Sequence, residues 1–269
     1  MKADTQRLIE TMYSKHQTMD LLRNEFEKEP FIGELILKSG LEAEFCMALF
    51  CQMALHKRAS VETLVGVMAP HGDSLQAVAD MLFVAAQHDL VDYAPATSQF
   101  IVKWIPEPKV YELINQYQFL PPMIVEPFKV TSNRGRGHLT LTKESLILKK
   151  NHHEGDVCLD VINLKNQIPL QINVDVVMSI RNSWKNLNKC KPGETFKEFQ
   201  KRVESFERFE RQTMKDMALM VNNDNEFWLT HAVCKRGRQY CGGYTINYQG
   251  NDYQKSVVEL KHEEIVEGF

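Results

Sequence analysis

The stretch Asp73–Trp104, DSLQAVADMLFVAAQHDLVDYAPATSQFIVKW, changes its period part-way along. Its first half reads as a helix. From Val91 onward the residues alternate, and the chain turns between Ala94 and Ser98 like a small hairpin. A helix that feeds a hairpin points to a mixed α+β protein, and the segments upstream supply more helices. From Asp4 to about Phe26, Leu8, Met12, Met19, Leu22 and Phe26 recur at helical spacing, with Pro30 closing the element. A short apolar piece, FIGELIL, precedes helices over LEAEFCMALFCQMALHK and SVETLVGVM, the second ended by Pro70.

Helices followed by a two-stranded wing resemble a winged-helix module. Many binding and scaffolding domains share that shape, and here it is expected to serve as a packing platform. Residues 1–105 are therefore read as one domain, mainly helical and winged-helix-like. The whole chain, 269 residues and 43% hydrophobic, is long enough to bury a sizeable core. Its formal net charge of −3 means that any nucleic-acid function must rest on local patches. No stretch approaches the ~18 apolar residues of a membrane span, and MKADTQRLIETMYSKHQTMD has no apolar signal core. An intracellular protein with no membrane partner is the expectation. Cys46, Cys51, Cys158, Cys190, Cys234 and Cys241 form no CxxC and read as reduced thiols. Cys234, Cys241 and His231 lack the second tight ligand pair of a zinc site, so no metal is expected there.

Residues 106–130 form a connector, WIPEPKVYELINQYQFLPPMIVEPFKV in context. Prolines 106, 108, 121, 122 and 127 exclude a long helix through it. In the TSNRGRGHLTLTKESLILKK that follows, Arg134 and Arg136 sit among glycines. The alternating Leu139, Leu141, Leu146 and Leu148 suggest a hairpin. Residues 131–269 form the second domain. In it DVCLDVINLKNQIPLQINVDVVMSIRNSW reads as two helical segments hinged at Pro169. Thr195 and Glu198 form a capping box that opens a long helix. After Glu226 the period shortens, and EFWLTHAV, QYCGGYTINY and YQKSVVEL read as short strands, with turns at the basic segment and at QGND.

The basic turn, CKRGR, is the most suggestive local pattern. Lys235, Arg236 and Arg238 suit phosphate neutralisation, and Gly237 removes a side chain where a polynucleotide backbone would approach. Tyr240 and Tyr244 offer surfaces for a base or sugar. An exposed hairpin carries the same composition, so the pattern alone leaves both readings open.

The longer string EFWLTHAVCKRGRQYCGGYTINYQGNDYQKSVVELK resembles a segment of the phage-type RNA polymerases, the family that includes the mitochondrial enzyme. There an apolar string leads to Asp/Thr-x-x-Gly-Arg-x-Tyr and then to Asn-Pro-Gln-Gly-x-Asp. Gly237, Arg238, Tyr240, Gln249, Gly250 and Asp252 match. Cys234 stands where the family has Asp or Thr, Thr230 where it has a proline, and Tyr248 where it has the proline of the second motif. Upstream, LPPMIVEPFKV is similar to the family's approach to the polymerase domain, and NRGRG falls where those enzymes place a glycine turn. Ile162, Asn163, Gln167, Ile172 and Asn173 match a pair of family helices. The resemblance covers about residues 118–266.

It implies that residues 131–269 form the N-terminal part of a polymerase palm/thumb region with short antiparallel strands. In the family, the metal-binding aspartates, the fingers and the promoter-reading loop lie C-terminal to these motifs. The expectation is thus one subunit of a split DNA-directed RNA polymerase, a nucleotidyltransferase whose second subunit supplies the catalytic aspartates and fingers. This chain looks like the smaller subunit of the heterodimeric middle-transcription polymerase of N-four-like bacteriophages, which implies the cytoplasm of an infected bacterial host. It would hold template DNA and nascent RNA. Arg238 and Gly237 would contact the template or hybrid backbone, Tyr240 would pack beside them, and Arg236 and Lys235 would neutralise phosphates. Arg134 and Arg136 are candidates for the same channel, with a surface loop as the alternative. No catalytic or metal-binding residue is expected in this chain. Mg2+ would be bound mainly by the partner, and Asp216 and Asp252 are read as structural. A short N-terminal domain implies a single-stranded DNA-binding accessory protein, or a single-stranded template, for promoter use. The competing reading is a winged-helix regulatory protein that binds nucleic acid without catalysis. No P-loop, GxGxxG, HExxH or Ser/His/Asp arrangement supports a different enzyme.

Overall fold

A computed structural model describes residues 1–149, 151–183 and 187–262. The chain divides into two units, Tyr13–Gln118 on one side and Met1–Met12 with the chain from Phe119 onward on the other. The sequence reading kept residues 1–12 with the helices that follow them. Helix α1 (Lys2–Met12) instead ends at Met12, and Ser14 caps a new helix, α2 (Lys15–Glu27), by accepting the Gln17 N–H. The single helix expected from Asp4 to Phe26 is thus two helices that belong to different units.

Within Tyr13–Gln118, Pro30 opens α3 (Pro30–Ser39) rather than closing the preceding helix. At the first helical position its missing N–H is no loss. Helix α4 (Ala43–His56) is apolar almost all round, and every residue from Phe45 to Cys51 is buried. Such a helix has to sit at the centre of its unit. Strand β1 (Arg58–Ser60), α5 (Val61–Met68), α6 (Leu75–Gln87), β2 (Asp92–Ala94), β3 (Gln99–Ile101) and α7 (Pro108–Gln116) follow. The hairpin expected around Ala94–Ser98 is present as β2 and β3. β1, which the sequence reading did not find, adds to it in the order β1-β3-β2, all antiparallel. Phe100 of β3, opposite both Ala59 and Tyr93, carries the sheet's contact into the core, with Phe83 and Tyr93 rings 5.6 and 5.0 Å away.

The second unit contains α8 (Leu159–Asn166), β4 (Leu170–Ile172), α9 (Val174–Ser179), α10 (Phe196–Asn222), β5 (His231–Val233), β6 (Gln239–Cys241), α11 (Asp252–Ser256) and β7 (Val258–Leu260). Among the described residues its sheets are two antiparallel pairs, β4 with β7 and β5 with β6. The capping box at Thr195 and Glu198 is present and opens α10. Three local expectations change. Pro169 introduces strand β4 rather than hinging two helices. YQKSVVEL is a helix and then a strand, because Asn251 and Gln254 make a second capping box. The leucine run at 139–148 forms no hairpin ladder: its residues make two isolated bridges, Ser145 with Arg134 and Ile147 with Val233, and Gly135 and Gly137 both take left-handed backbone nearby.

Buried apolar side chains here include Met123, Ile124, Leu170, Met220, Phe227 and Ile246. One cluster joins Val130, Leu146, Ile162 and Val233. Side-chain amides close the spaces between segments. Asn163 accepts the Val130 N–H at 2.7 Å and donates to the Val130 carbonyl at 2.9 Å. Asn225 does the same to Ile172, at 2.9 Å both ways. Each amide acts as one rung of a β-ladder, so chain segments pair without a neighbouring strand. Helix α1 is held similarly. Buried Gln6 accepts the Ile124 N–H, and the Glu10 carboxylate accepts from Leu139 N–H, Thr140 N–H and the Thr140 hydroxyl. Burial pushes Glu10 upward, but these bonds outweigh it and hold its pKa below the ordinary value. Among the described residues no helix is long and apolar enough to cross a membrane.

Candidate nucleic-acid interface

The basic segment is the loop of the β5–β6 hairpin. Cys234 N–H donates to the Arg238 carbonyl and Gly237 N–H to the Cys234 carbonyl, both at 2.9 Å. Lys235, Arg236 and Gly237 therefore form a three-residue hairpin loop whose last position is left-handed, at φ +75°. A Cβ on Gly237 would meet nothing within 4 Å, so it is the φ angle that calls for glycine, not crowding within the protein.

Cys234 occupies the position that is Asp or Thr in the resembling family. Its thiol is held below its ordinary pKa, first by the N–H of Arg236, then by the N–H of Arg238, the charge of Arg236 and the Tyr240 hydroxyl. The sulfur thus accepts from the turn as a carboxylate or hydroxyl oxygen would.

The loop is built to display charge. Lys235, Arg236 and Arg238 are exposed, and among the described residues none pairs with a carboxylate. Gly237, Arg238 and Tyr240 line an open cleft of about 620 Å³ together with Lys165, Gln239 and Gln249. Gln249 comes from the second matched motif. Its side chain accepts the Cys241 N–H at 2.8 Å and reaches the Gln239 carbonyl at 3.4 Å, clamping that loop to β6. The two motifs, separate in sequence, therefore meet at one surface. Tyr240 is 39% exposed, which leaves a ring face available for stacking. Tyr244, 47% exposed, has its ring stacked on Phe119 with centroids 3.6 Å apart and does not line the cleft.

Beneath the hairpin lies a buried polar network. Asn166 Oδ1 accepts the His231 N–H at 3.0 Å and bonds His231 Nδ1 at 2.8 Å, while its Nδ2 donates to the Arg136 carbonyl. Because that oxygen only accepts, the ring proton sits on Nδ1, and Nε2 accepts the Tyr248 hydroxyl. Burial, aided by the charge of Lys165, pushes His231 down to about 4, so the ring is neutral near pH 7. Tyr248 thus has a structural role where the resembling family has proline.

The remaining candidates lie elsewhere. Arg134 is exposed and pairs with Glu154 at 3.7 Å. Arg136 is half-buried, its pKa lowered by burial; one amine lies 3.5 Å from the Ser145 carbonyl and its Nε has no partner. Neither lines the cleft. Gly250 is a packing requirement, since a Cβ there would sit 2.1 Å from the Gln254 oxygen that closes the α11 cap. Lys165 and Gln239 were not singled out in the sequence. Lys165 follows an unremarkable Leu164, and nothing in its local pattern marks it.

Neither Asp216 nor Asp252 is placed to hold Mg2+. Asp216 is buried, with its oxygens taken by the Gln212 amide and the Thr245 hydroxyl, and burial pushes its pKa up to about 6. Asp252 is exposed and lies 3.9 Å from Lys255. Among the described residues no group of three or more His, Cys, Asp and Glu is placed to hold a metal. Compared with models of protein families and with the sequences of curated proteins, the chain matches none.

Proposed function

We propose that this chain is a subunit of a split, phage-type DNA-directed RNA polymerase and that its β5–β6 hairpin holds the template strand and the RNA–DNA hybrid. The observation that carries the reading is the convergence of both matched motifs on one cleft, with unpaired cations beside it. Arg238 contributes an exposed guanidinium for phosphodiester oxygens, Lys235, Arg236 and Lys165 add charge, and Tyr240 offers a stacking face. The interaction is charge-driven and independent of sequence. The metal-binding aspartates and the fingers belong, on this reading, to a second subunit, and Mg2+ to that subunit's site. The setting is the cytoplasm of an infected bacterial host, with a single-stranded DNA-binding accessory protein or a single-stranded template for promoter use.

Residues 43–101 are proposed to be a winged-helix module. The support is their order of helix, strand, two helices and hairpin, with β3 between β1 and β2. The part of a polymerase palm is assigned to the β5–β6 region by resemblance alone.

The test is extension of an RNA primer on single-stranded DNA with Mg2+ and nucleotides. The chain is assayed alone, with the product of its neighbouring gene, and as Arg238→Ala in that pair. Activity confined to the pair and lost with the substitution is the expected result. Full activity from the neighbour alone would overturn the proposal.

A further inference from the structure

The module formed by α5, α6 and the β2–β3 hairpin has an unusual charge pattern. Between Arg58 and Lys103 the sequence contains no lysine or arginine, while it holds Glu62, Asp73, Asp80, Asp89 and Asp92. Asp89 and Asp92 lie 2.6 and 3.6 Å from Lys103, so the cation that ends this stretch is already neutralised. Among the described residues no cation pairs with Glu62, Asp73 or Asp80.

Helix α6 turns Val78, Leu82 and Ala85 into the core and leaves Leu75, Gln76, Asp80, Phe83 and Gln87 exposed. Gln76, Asp80, Phe83 and Gln87 recur every three to four residues and form one outward face, and Leu75 stands at its N-terminal edge, about 100° around the helix from Gln76. Leu75 is 61% exposed and Phe83 38%. The Phe83 ring is held edge-on to Tyr93 at 5.0 Å, so its exposed part is rigid. The face therefore combines Phe83 with Asp80, and its N-terminal edge adds Leu75 and, just before the helix, Asp73.

We propose that this face docks a protein partner through an amphipathic helix bearing lysine or arginine around apolar residues, and that it does not bind nucleic acid. A phosphate backbone requires cations, because affinity for it comes largely from charge neutralisation. Here Asp73 and Asp80 are exposed, no cation pairs with either among the described residues, and carboxylates repel phosphate. A basic helix meets the opposite situation. Its apolar residues cover Leu75 and Phe83 while its cations reach Asp73 and Asp80. The inference stands apart from the polymerase reading, since the basic hairpin belongs to the other unit.

The test uses the full chain and three probes: a synthetic amphipathic helix of leucine and lysine, the same peptide with glutamate for lysine, and a DNA duplex. Amide resonances of α6 report the site. The lysine peptide is expected to shift Leu75–Gln87 and to bind more weakly as salt rises. Asp73→Lys with Asp80→Lys, both at exposed positions, should weaken that binding about tenfold or more while leaving DNA binding at Arg238 unchanged. Equal binding of both peptides, no shift of α6 by the lysine peptide, or α6 shifts caused by the duplex would each overturn the proposal. Loss of DNA binding in Arg238→Ala would not bear on it.

Discussion

Phe50 in α4 and Asn166 in α8 are both 2% exposed, and they hold their units together in different ways. Phe50 lies in a continuous apolar core, with the Phe26 ring 5.5 Å away and the buried faces of α2 to α6 around it. Asn166 spends its whole amide on backbone and ring groups of two other segments. The contrast extends to each unit. Residues 13–118 are organised by apolar burial, which is tolerant of shape. The unit that carries the basic hairpin adds to its buried apolar side chains the amides of Asn133, Asn163, Asn166, Asn225, Gln249 and Gln254, each joining segments distant in sequence or turns that would otherwise open. Amide clips are directional, so that unit should tolerate little change in donor and acceptor pattern.

The largest expected effect is in the apolar unit. Phe50→Ala should cost about 3–5 kcal/mol, the usual loss for a buried aromatic, whereas Phe50→Leu should retain most of the stability. Urea unfolding of both variants measures the difference. Asn166 should show the reverse tolerance. Asn166→Ala strands the His231 N–H and the Arg136 carbonyl, for about 2–3 kcal/mol, and the similarly sized Asn166→Leu should be no better. A Leu variant as stable as wild type would remove the distinction between the two units.

A smaller effect is readable through pH. Asp216 has its folded pKa raised to about 6, so between the ordinary value of 3.8 and that point the folded state binds the extra proton, and stability falls as pH rises. His231 is the opposite case. Its folded pKa is lowered to about 4, the unfolded state holds the proton up to about 6.5, and stability rises with pH over that window. The two slopes oppose each other in the wild type. Asp216→Asn should stabilise the protein at pH 8 by on the order of 2 kcal/mol and expose the rising His231 slope between pH 4 and 6.5. Thermal melts across that range would show it, and an unchanged profile would place the Asp216 burial in error.

The same contrast explains what could be read from the sequence. The helices α4, α5 and α6 and the β2–β3 hairpin were legible because apolar burial leaves a periodic trace. Strand β1 was not, since Arg58–Ser60 is too short to alternate and is defined only by its pairing with β3. The break at Tyr13 escaped because Leu8 to Phe26 keeps helical spacing across it. In the clipped unit the Thr195 capping box was visible as a local motif, but Asn166 and Gln249 act on residues far away and leave no period. The cleft was half legible for the same reason. Gly237, Arg238 and Tyr240 stand together in the chain, whereas Lys165 reaches the cleft only through the fold.

The smallest expected change in stability is at the hairpin tip, and it separates the fold of the clipped unit from its proposed use. Lys235, Arg236 and Arg238 are exposed, carry no carboxylate partner among the described residues, and extend beyond the amide clips. Replacing all three with alanine should therefore change unfolding free energy by less than about 0.5 kcal/mol. Binding to nucleic acid should respond quite differently. Each cation that neutralises a phosphate contributes about 0.7–0.9 to the slope of log affinity against log salt, so the triple variant should lose about two to three units of slope on single-stranded DNA. Arg134→Ala, whose side chain is paired with Glu154, should leave that slope unchanged. If the triple variant kept the full slope, the cations that bind DNA would lie elsewhere and the hairpin would be only an exposed turn. If Arg134→Ala lowered the slope by as much as Arg238→Ala, the contact surface would extend past the cleft into the glycine loop at Gly135 and Gly137.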